Sequence, residues 1–343
     1  MPANEPAFHE AKLGSTRLQD LGLTIQGSPL EPILNEFEAE LQRAGIRRLQ
    51  PRFYLSTEWG VPFHTVAIAI PFYLARSDLT ALHAKRAGYV EGFSRSDILR
   101  YLRHEMGHVV NYGYRLYEQE DWIKQFGSIT QPYEEDYRPE PFSRRYVRHL
   151  PGWYAQKHPD EDWSETFAVW MTPGLDWRAD YAPWPEALAK LNYCDATMAK
   201  LVDRDPLVTT VDLDEDVQGL AYSIDQFYKG LGTGPAELPP GLDGALRTIF
   251  EDFARSEAGT SAKPPKLASE LIRQLEYELM GNVYRWTGHF PERTHTLLEH
   301  LMRRADSLQL AYLPEHELEA TLAVTTLVTA LAMNYVHRGT YLP

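Results

Sequence analysis

The residues best suited to chemistry lie in one short stretch, Leu102-Arg103-His104-Glu105-Met106-Gly107-His108-Val109-Val110. It contains the pattern H-E-x-x-H. Two histidines four apart share one face of a helix, so both imidazoles can reach a single metal ion at about 2.0–2.1 Å. Glu105 sits beside them, where a carboxylate can take a proton from an activated water. The chemistry implied is zinc-assisted hydrolysis of a peptide or amide bond. Lone histidines on the polar face of an amphipathic helix are the ordinary alternative. Against it, Tyr101 and Tyr112 share the histidine side, and an apolar stripe of Leu99, Leu102, Met106, Val109 and Val110 occupies the other. A helix covered on both sides suits the floor of a cleft.

A catalytic zinc needs three protein ligands and one open position. Position 111 is Asn and position 114 is Tyr, which excludes the ligand pattern that places a third histidine shortly after the motif. A glutamate on a later helix remains. Asp160-Glu161-Asp162-Trp163-Ser164-Glu165-Thr166-Phe167-Ala168 reads as such a helix, with Trp163, Phe167 and Trp170 as its buried stripe. Glu165 points away from that stripe and Ala168, one turn on, allows close approach. Glu161 shares the face as a rival, and Asp162 with Glu165 also fits a capping box. Spacing alone leaves the choice open.

His104-Glu105-Met106-Gly107-His108, followed by His158-Pro159 and Glu161-Asp162-Trp163-Ser164-Glu165-Thr166-Phe167-Ala168, resembles a bacterial family of zinc-binding metallopeptidases of the gluzincin type. There an H-E-x-G-H helix precedes a segment of the form H-P-x-E-D-W-x-E-T-x-A. The resemblance covers roughly residues 50 to 200. It implies a zincin-like catalytic domain, a Zn2+ cofactor, and the second glutamate, Glu165, as third ligand beside His104 and His108. Better-known gluzincins often carry an acidic residue four positions after the ligand glutamate, to orient the first histidine. Counted from Glu165 that position is Val169, so the orienting partner is expected elsewhere, at Asp162 or a backbone carbonyl. Glu105 is the expected general base, and His158 or Tyr154 the group that stabilises the oxyanion.

The surrounding elements must position this set. Ser28-Pro29-Leu30-Glu31 opens a helix that Gly45 ends. Arg52 to Trp59 and His64 to Ile70 read as strands. The second would either rim the cleft and pair with extended substrate, with Val66, Ile68 and Ile70 packing inward, or lie in the sheet interior. The motif helix is predicted over Ser96 to Tyr117 and the second over Asp160 to Met171. The acidic, proline-bearing stretch from Tyr133 to Pro141 reads as a loop. Beyond Gly174 the pattern is almost wholly helical, including Leu267 to Met280 and Pro314 to Val336, with loops near Thr233 to Gly241 and Glu257 to Lys266. The expected class is α+β, with residues 1–200 as the catalytic domain and 201–343 as a helical domain. Tyr222, Tyr228 and His289 are the side chains of that second half with a use in a cleft.

The chain has 343 residues and a formal net charge of −14. Such a surface repels phosphate backbones, which argues against a nucleic-acid partner. Arg144, Arg145, Arg148 and His149 form the one basic cluster near the motifs, either a solvated face or a clamp for a substrate carboxylate. A lone cysteine, Cys194, excludes an internal disulfide and a cysteine-based zinc site. Residues Met1 to Gly14 carry Glu5 and Glu10 and no apolar core, so no secretory signal is expected. The apolar run Ala320 to Val336 is broken by Thr321, Thr325, Thr326, Thr329 and Asn334 and reads as a buried helix. A cytoplasmic protein without a membrane partner is the default. Two rival functions are a zinc hydrolase of a small non-peptide amide and a zinc-stabilised scaffold for protein interaction.

Overall fold

The computed structural model describes residues 13–87, 89–133, 137, 139–140, 143–230, 242–252 and 264–341. The expected loop at 233–241, most of that at 257–266, much of that at 133–141 and nearly all of the N-terminal segment lie outside these. The chain is α+β and mostly helical, as composition and periodicity predict. It divides into two compact units, Met1–Arg86 with Val90–Leu231, and Ala87–Tyr89 with Gly232–Pro343. Residues 202–231 thus fold with the first unit instead of opening the second. Gly113 carbonyl accepts from the Leu207 and Val208 N–H groups, Val66 N–H donates to Thr210 and Ile224 N–H to Thr16. These backbone bonds hold the segment where its composition gave no clue.

The first unit contains α1 (Leu30–Arg43), β1 (Arg52–Ser56), β2 (Ala67–Pro71), α2 (Ser77–Ala87), α3 (Arg95–Gly113), α4 (Glu120–Phe126), α5 (Pro159–Met171), α6 (Trp177–Asp180), α7 (Pro185–Leu201) and α8 (Ile224–Gly230). Ser28 Oγ accepts from the Leu30 N–H and Glu31 from the Gly27 N–H, so the first turn of α1 is closed by side chains. Leu30, Ile33, Leu34, Phe37 and Leu41 then enter the core on one face. Glu40, buried on the same helix, takes a two-pronged hydrogen bond from Arg103 and ties α1 to α3. Ser94 caps α3 through the Asp97 N–H. This helix stops at Gly113, short of Tyr117, because the chain turns there, with Arg115 in the left-handed region.

β1 and β2 pair in parallel, from Arg52 with Ala67 to Ser56 with Pro71. The return leg between them passes back along the other side of β2, where Ala69 N–H donates to Gly60 carbonyl in an antiparallel bridge. β2 is therefore interior, the second of its two readings, and the Trp59–Val61 segment lines the cavity described below. Val66, Ile68 and Ile70 do pack into the main core.

In the second unit, α9 (Asp243–Ile249), α10 (Ala268–Thr287), α11 (Pro291–Ser307) and α12 (Glu317–Arg338) surround a core that includes Leu271, Leu279, Leu298, Leu301, Val324 and Leu331. A small antiparallel sheet, unexpected from the sequence, runs in the order β3 (Glu251–Asp252), β5 (Leu310–Tyr312), β4 (Lys266–Leu267). Strands of two or three residues carry no readable alternation. The segment Pro314–Arg338 is long and apolar enough to cross a membrane by length and composition, and 33% of its most apolar stretch is buried.

Candidate metal centre

α3 and α5 meet where Gly107 faces Ser164. A Cβ on Gly107 would lie 2.6 Å from the Ser164 Cα, so only glycine permits this approach. Trp163 Nε1 donates to the Gly107 carbonyl at 2.8 Å and locks the register. His158 caps α5 by accepting from the Asp160 N–H, and Pro159 takes the first helical position, where no N–H is needed. Nearly every residue of α5 is buried, as are all residues of α3 from His104 to Gly113.

Three atoms converge between the helices. His104 Nε2 and His108 Nε2 lie 3.3 Å apart, and Glu161 Oε2 lies 3.0 Å from the first and 3.3 Å from the second. Two metal–ligand bonds of about 2.0–2.1 Å at a tetrahedral angle separate their ligand atoms by about 3.3–3.4 Å. The triangle has the size of one face of such a shell. Close as the imidazoles are, their directions do not suit hydrogen bonds to Glu161 Oε2, which is buried without a hydrogen-bond partner. Among the described residues, His104, His108 and Glu161 form the group able to hold a metal ion.

The far nitrogens explain why the near ones point inward. His104 Nδ1 meets Glu165 Oε1 at 2.8 Å, and His108 Nδ1 meets Asp160 Oδ2 at 3.0 Å. Each carboxylate fixes its ring with the Nδ1–H outward and the Nε2 lone pair toward the centre. Both are held in turn. Glu165 Oε2 accepts from the His149 and Leu150 N–H groups at 3.0 and 2.9 Å. Asp160 accepts from Asn111 at 2.6 Å and from the Tyr112 hydroxyl.

The group able to hold a metal differs from the expected set at one residue. Glu165 stands behind His104, with both oxygens committed, and Glu161 stands with the two Nε2 atoms. Counted from Glu161, the acidic residue four positions on is Glu165, and it orients the first histidine. Asp162 takes no part, because its carboxylate pairs with Lys190 Nζ at 2.6 Å. Burial pushes its carboxyl up to about 7 despite that partner.

Charge makes the same point as distance. Burial alone would lower the pKa of His104, but the carboxylates of Glu161 and Glu165 beside its two nitrogens hold it up at about 9. Burial likewise works against protonated His108, and the charges of Asp160 and Glu161 raise it well above the usual range. Glu161 is held far below the ordinary carboxylate range by the two histidines, against burial. Without a metal, the buried carboxylates are balanced only by protonating both imidazoles, which sets two Nε2–H groups against each other at 3.3 Å. A divalent cation at the centre removes that conflict. Glu105 shares the pocket, and burial raises its pKa against the pull of the two histidines.

A cavity of about 310 Å³ opens on this centre, lined by Glu105, Tyr112, Tyr133, Tyr154, Lys157 and the Glu58–Val61 segment besides the metal group. Tyr154 is in place, its ring 5.5 Å from that of His104. His158 is not: its Nδ1 caps α5, and its Nε2 lies 3.1 Å from the Gln131 carbonyl. With both nitrogens used in structure, it has none to offer an oxyanion. Tyr133, read from sequence only as the start of a loop, donates to Glu161 Oε1. The Arg cluster lies elsewhere. Arg145 pairs with Glu140, while Arg148 stacks on Trp153 and Trp184. His149 spans α3 and Glu165, its Nε2 2.9 Å from the Arg100 carbonyl. Tyr222 packs against the first core, Tyr228 meets His83, and His289 meets Thr294 and Tyr341 within the second unit. None of the three lines the cavity.

Comparisons of the chain with family models, with curated proteins and with solved structures find no match.

Proposed function

We propose that the protein is a zinc-dependent hydrolase of a peptide or amide bond. The observation that carries this reading is the convergence of His104 Nε2, His108 Nε2 and Glu161 Oε2 at 3.0–3.3 Å, with Glu105 in the same cavity. A zinc ion held by these three groups would supply Lewis acidity and an acidified water. The group has three members among the described residues, which leaves the open position that catalysis needs and a closed structural site lacks. With Glu161 as ligand and Glu165 behind His104, the spacing is that of the gluzincin metallopeptidases, which supports the resemblance drawn from sequence.

Glu105 takes a proton from the attacking water and passes it to the leaving amine. Its burial serves that role by raising its affinity for the proton. Tyr154 presents its hydroxyl to the developing oxyanion, in the part assigned by sequence to either Tyr154 or His158. Tyr133 holds the outer oxygen of Glu161 and keeps the inner one aimed at the metal. An extended substrate would lie along Trp59–Val61, which lines the cavity. A cavity of about 310 Å³ is at the small end for ligand pockets, which favours a short peptide or a small amide over a long polypeptide.

The test is Glu105→Gln. The variant should retain about one zinc per chain by elemental analysis and lose at least about 10²-fold in hydrolysis of a blocked dipeptide library. Full activity in that variant would defeat the mechanism, and absence of bound zinc in the wild type would defeat the reading altogether.

A further inference from the structure

The loop after α1 and the segment after α7 enclose a groove of about 440 Å³, whose lining includes Arg47, Arg48, Val66, Asp205 and Val211. It shares no lining residue with the metal cavity. Backbone bonds fix its walls. Val66 N–H donates to the Thr210 carbonyl, and the Leu207 and Val208 N–H groups donate to Gly113 at the end of α3. The groove is therefore formed in advance of any occupant. This ordered backbone holds apolar side chains out in water. Leu207, next to the lining residue Pro206, is 72% exposed, the most of the described large hydrophobic side chains, and Val211 is exposed as well. Apolar surface presented at the edge of a groove marks a place of contact. Charge sets the groove apart too. The chain carries a formal net charge of −14, yet the lining has two guanidiniums and one carboxylate. Arg48 meets that carboxylate, Asp205, at 3.5 Å with both side chains more than half exposed, a pairing of little strength. Among the described residues no carboxylate pairs with Arg47, whose side chain is exposed.

We infer that this groove docks an acidic peptide segment of a partner protein, one that alternates carboxylates with apolar side chains. The carboxylates meet Arg47 and Arg48, whose planar guanidiniums suit two-pronged hydrogen bonds to such groups. The apolar side chains cover Val211 and Leu207. Leu207 lies beside the groove and not in its lining, so the occupant runs past the groove, which a compact anion does not do. A peptide is also the anion that the rest of the surface tolerates. A membrane or a nucleic acid brings a whole field of phosphates against a chain of net charge −14, and is repelled by it. A short acidic segment brings its charges only to the recess that holds the two guanidiniums. The inference is independent of the hydrolase reading, because none of these residues belongs to the metal cavity.

The experiment is fluorescence anisotropy of the full chain with a labelled heptapeptide of alternating glutamate and leucine, and with its glutamine counterpart. The acidic peptide should bind at least about tenfold more tightly than the neutral one. Raising salt from about 0.05 M to about 0.5 M should weaken it several-fold. Arg47→Glu and Arg48→Glu should each weaken it at least about fivefold, and Leu207→Ser about threefold. All three side chains are exposed, so these changes leave the fold intact. Leu318→Ser, at a comparably exposed position of the second unit, is the control and should change nothing. Absence of binding would overturn the inference, as would equal binding of the glutamine peptide. So would binding that is indifferent to both arginine reversals. Attachment to phosphatidylserine vesicles or to a single-stranded oligonucleotide, without binding of the peptide, would overturn it in favour of a phosphate surface.

Discussion

At the residue scale, one carboxylate decides the class of the site. Glu161 and Glu165 are a turn apart on one helix face, and only one of them can stand with the imidazoles while the other stands behind. The two roles differ in cost when removed. If Glu161 is the ligand we propose, Glu161→Ala should abolish stoichiometric zinc at micromolar protein, measured by competition with a chromogenic chelator. Glu165→Ala leaves the ligand set intact but frees the His104 ring, and should weaken affinity by about 10–100-fold. The reverse order of losses would return the ligand to Glu165. Tyr154→Phe tests the oxyanion role. It should lower kcat by about 10²-fold while leaving zinc content and KM nearly unchanged. A rise in KM alone would make Tyr154 a binding residue.

At the element scale, α3 and α5 form the site by touching at one glycine. Gly107→Ala places a methyl 2.6 Å from the Ser164 Cα, and backbone cannot give way as a side chain can. The helices must part, which should cost about 1–3 kcal/mol in unfolding free energy and weaken zinc binding with it. Gly244→Ala, in a helix with open space around that position, is the control and should be neutral or slightly stabilising. Unchanged zinc affinity in Gly107→Ala would show that the contact does not set the ligand spacing. These elements also mark what was legible in the sequence. Both helices could be read, because apolar stripes and caps announce them and H-E-x-x-H names their shared face. Which carboxylate joins the two histidines could not, because Glu161 and Glu165 share one helix face and differ only in how far α5 slides along α3. That slide is set by Gly107 and the Trp163 hydrogen bond, which are contacts across 56 residues. The place of β2 stayed open between rim and interior for a related reason: its alternation tells which side chains face inward, but not which backbone edge Gly60 covers. Tyr133 gave no signal, since a tyrosine in an acidic loop is common anywhere.

At the scale of the whole molecule, each unit carries its own core and a buried histidine outside the metal group. His83 stacks on Tyr73 in the first unit, and burial lowers its pKa from 6.5 to about 4. His289 meets Thr294 and Tyr341 in the second, and burial, aided by Arg293, lowers it to about 3. A histidine whose folded pKa is depressed binds fewer protons folded than unfolded below pH 6.5. Its contribution to stability is complete above about pH 6.5 and is lost as pH falls toward 4 and 3 respectively. Thermal melts followed from pH 7 to pH 4 should fall in midpoint, and His83→Gln should flatten that slope whatever it does to stability at pH 7. An equal slope in the variant would assign acid sensitivity to other groups. Saturating zinc should raise the melting of the first unit, by about 4 kcal/mol at a thousand times its dissociation constant. The glycine contact has one more consequence, in time. α3 and α5 are distant in sequence, so the pocket exists only after a long loop has closed and the Gly107 backbone has reached Ser164. Each helix can form locally well before that. During refolding, metal capture should therefore lag the recovery of helical circular dichroism, which makes zinc uptake a clock for tertiary docking and not for helix formation.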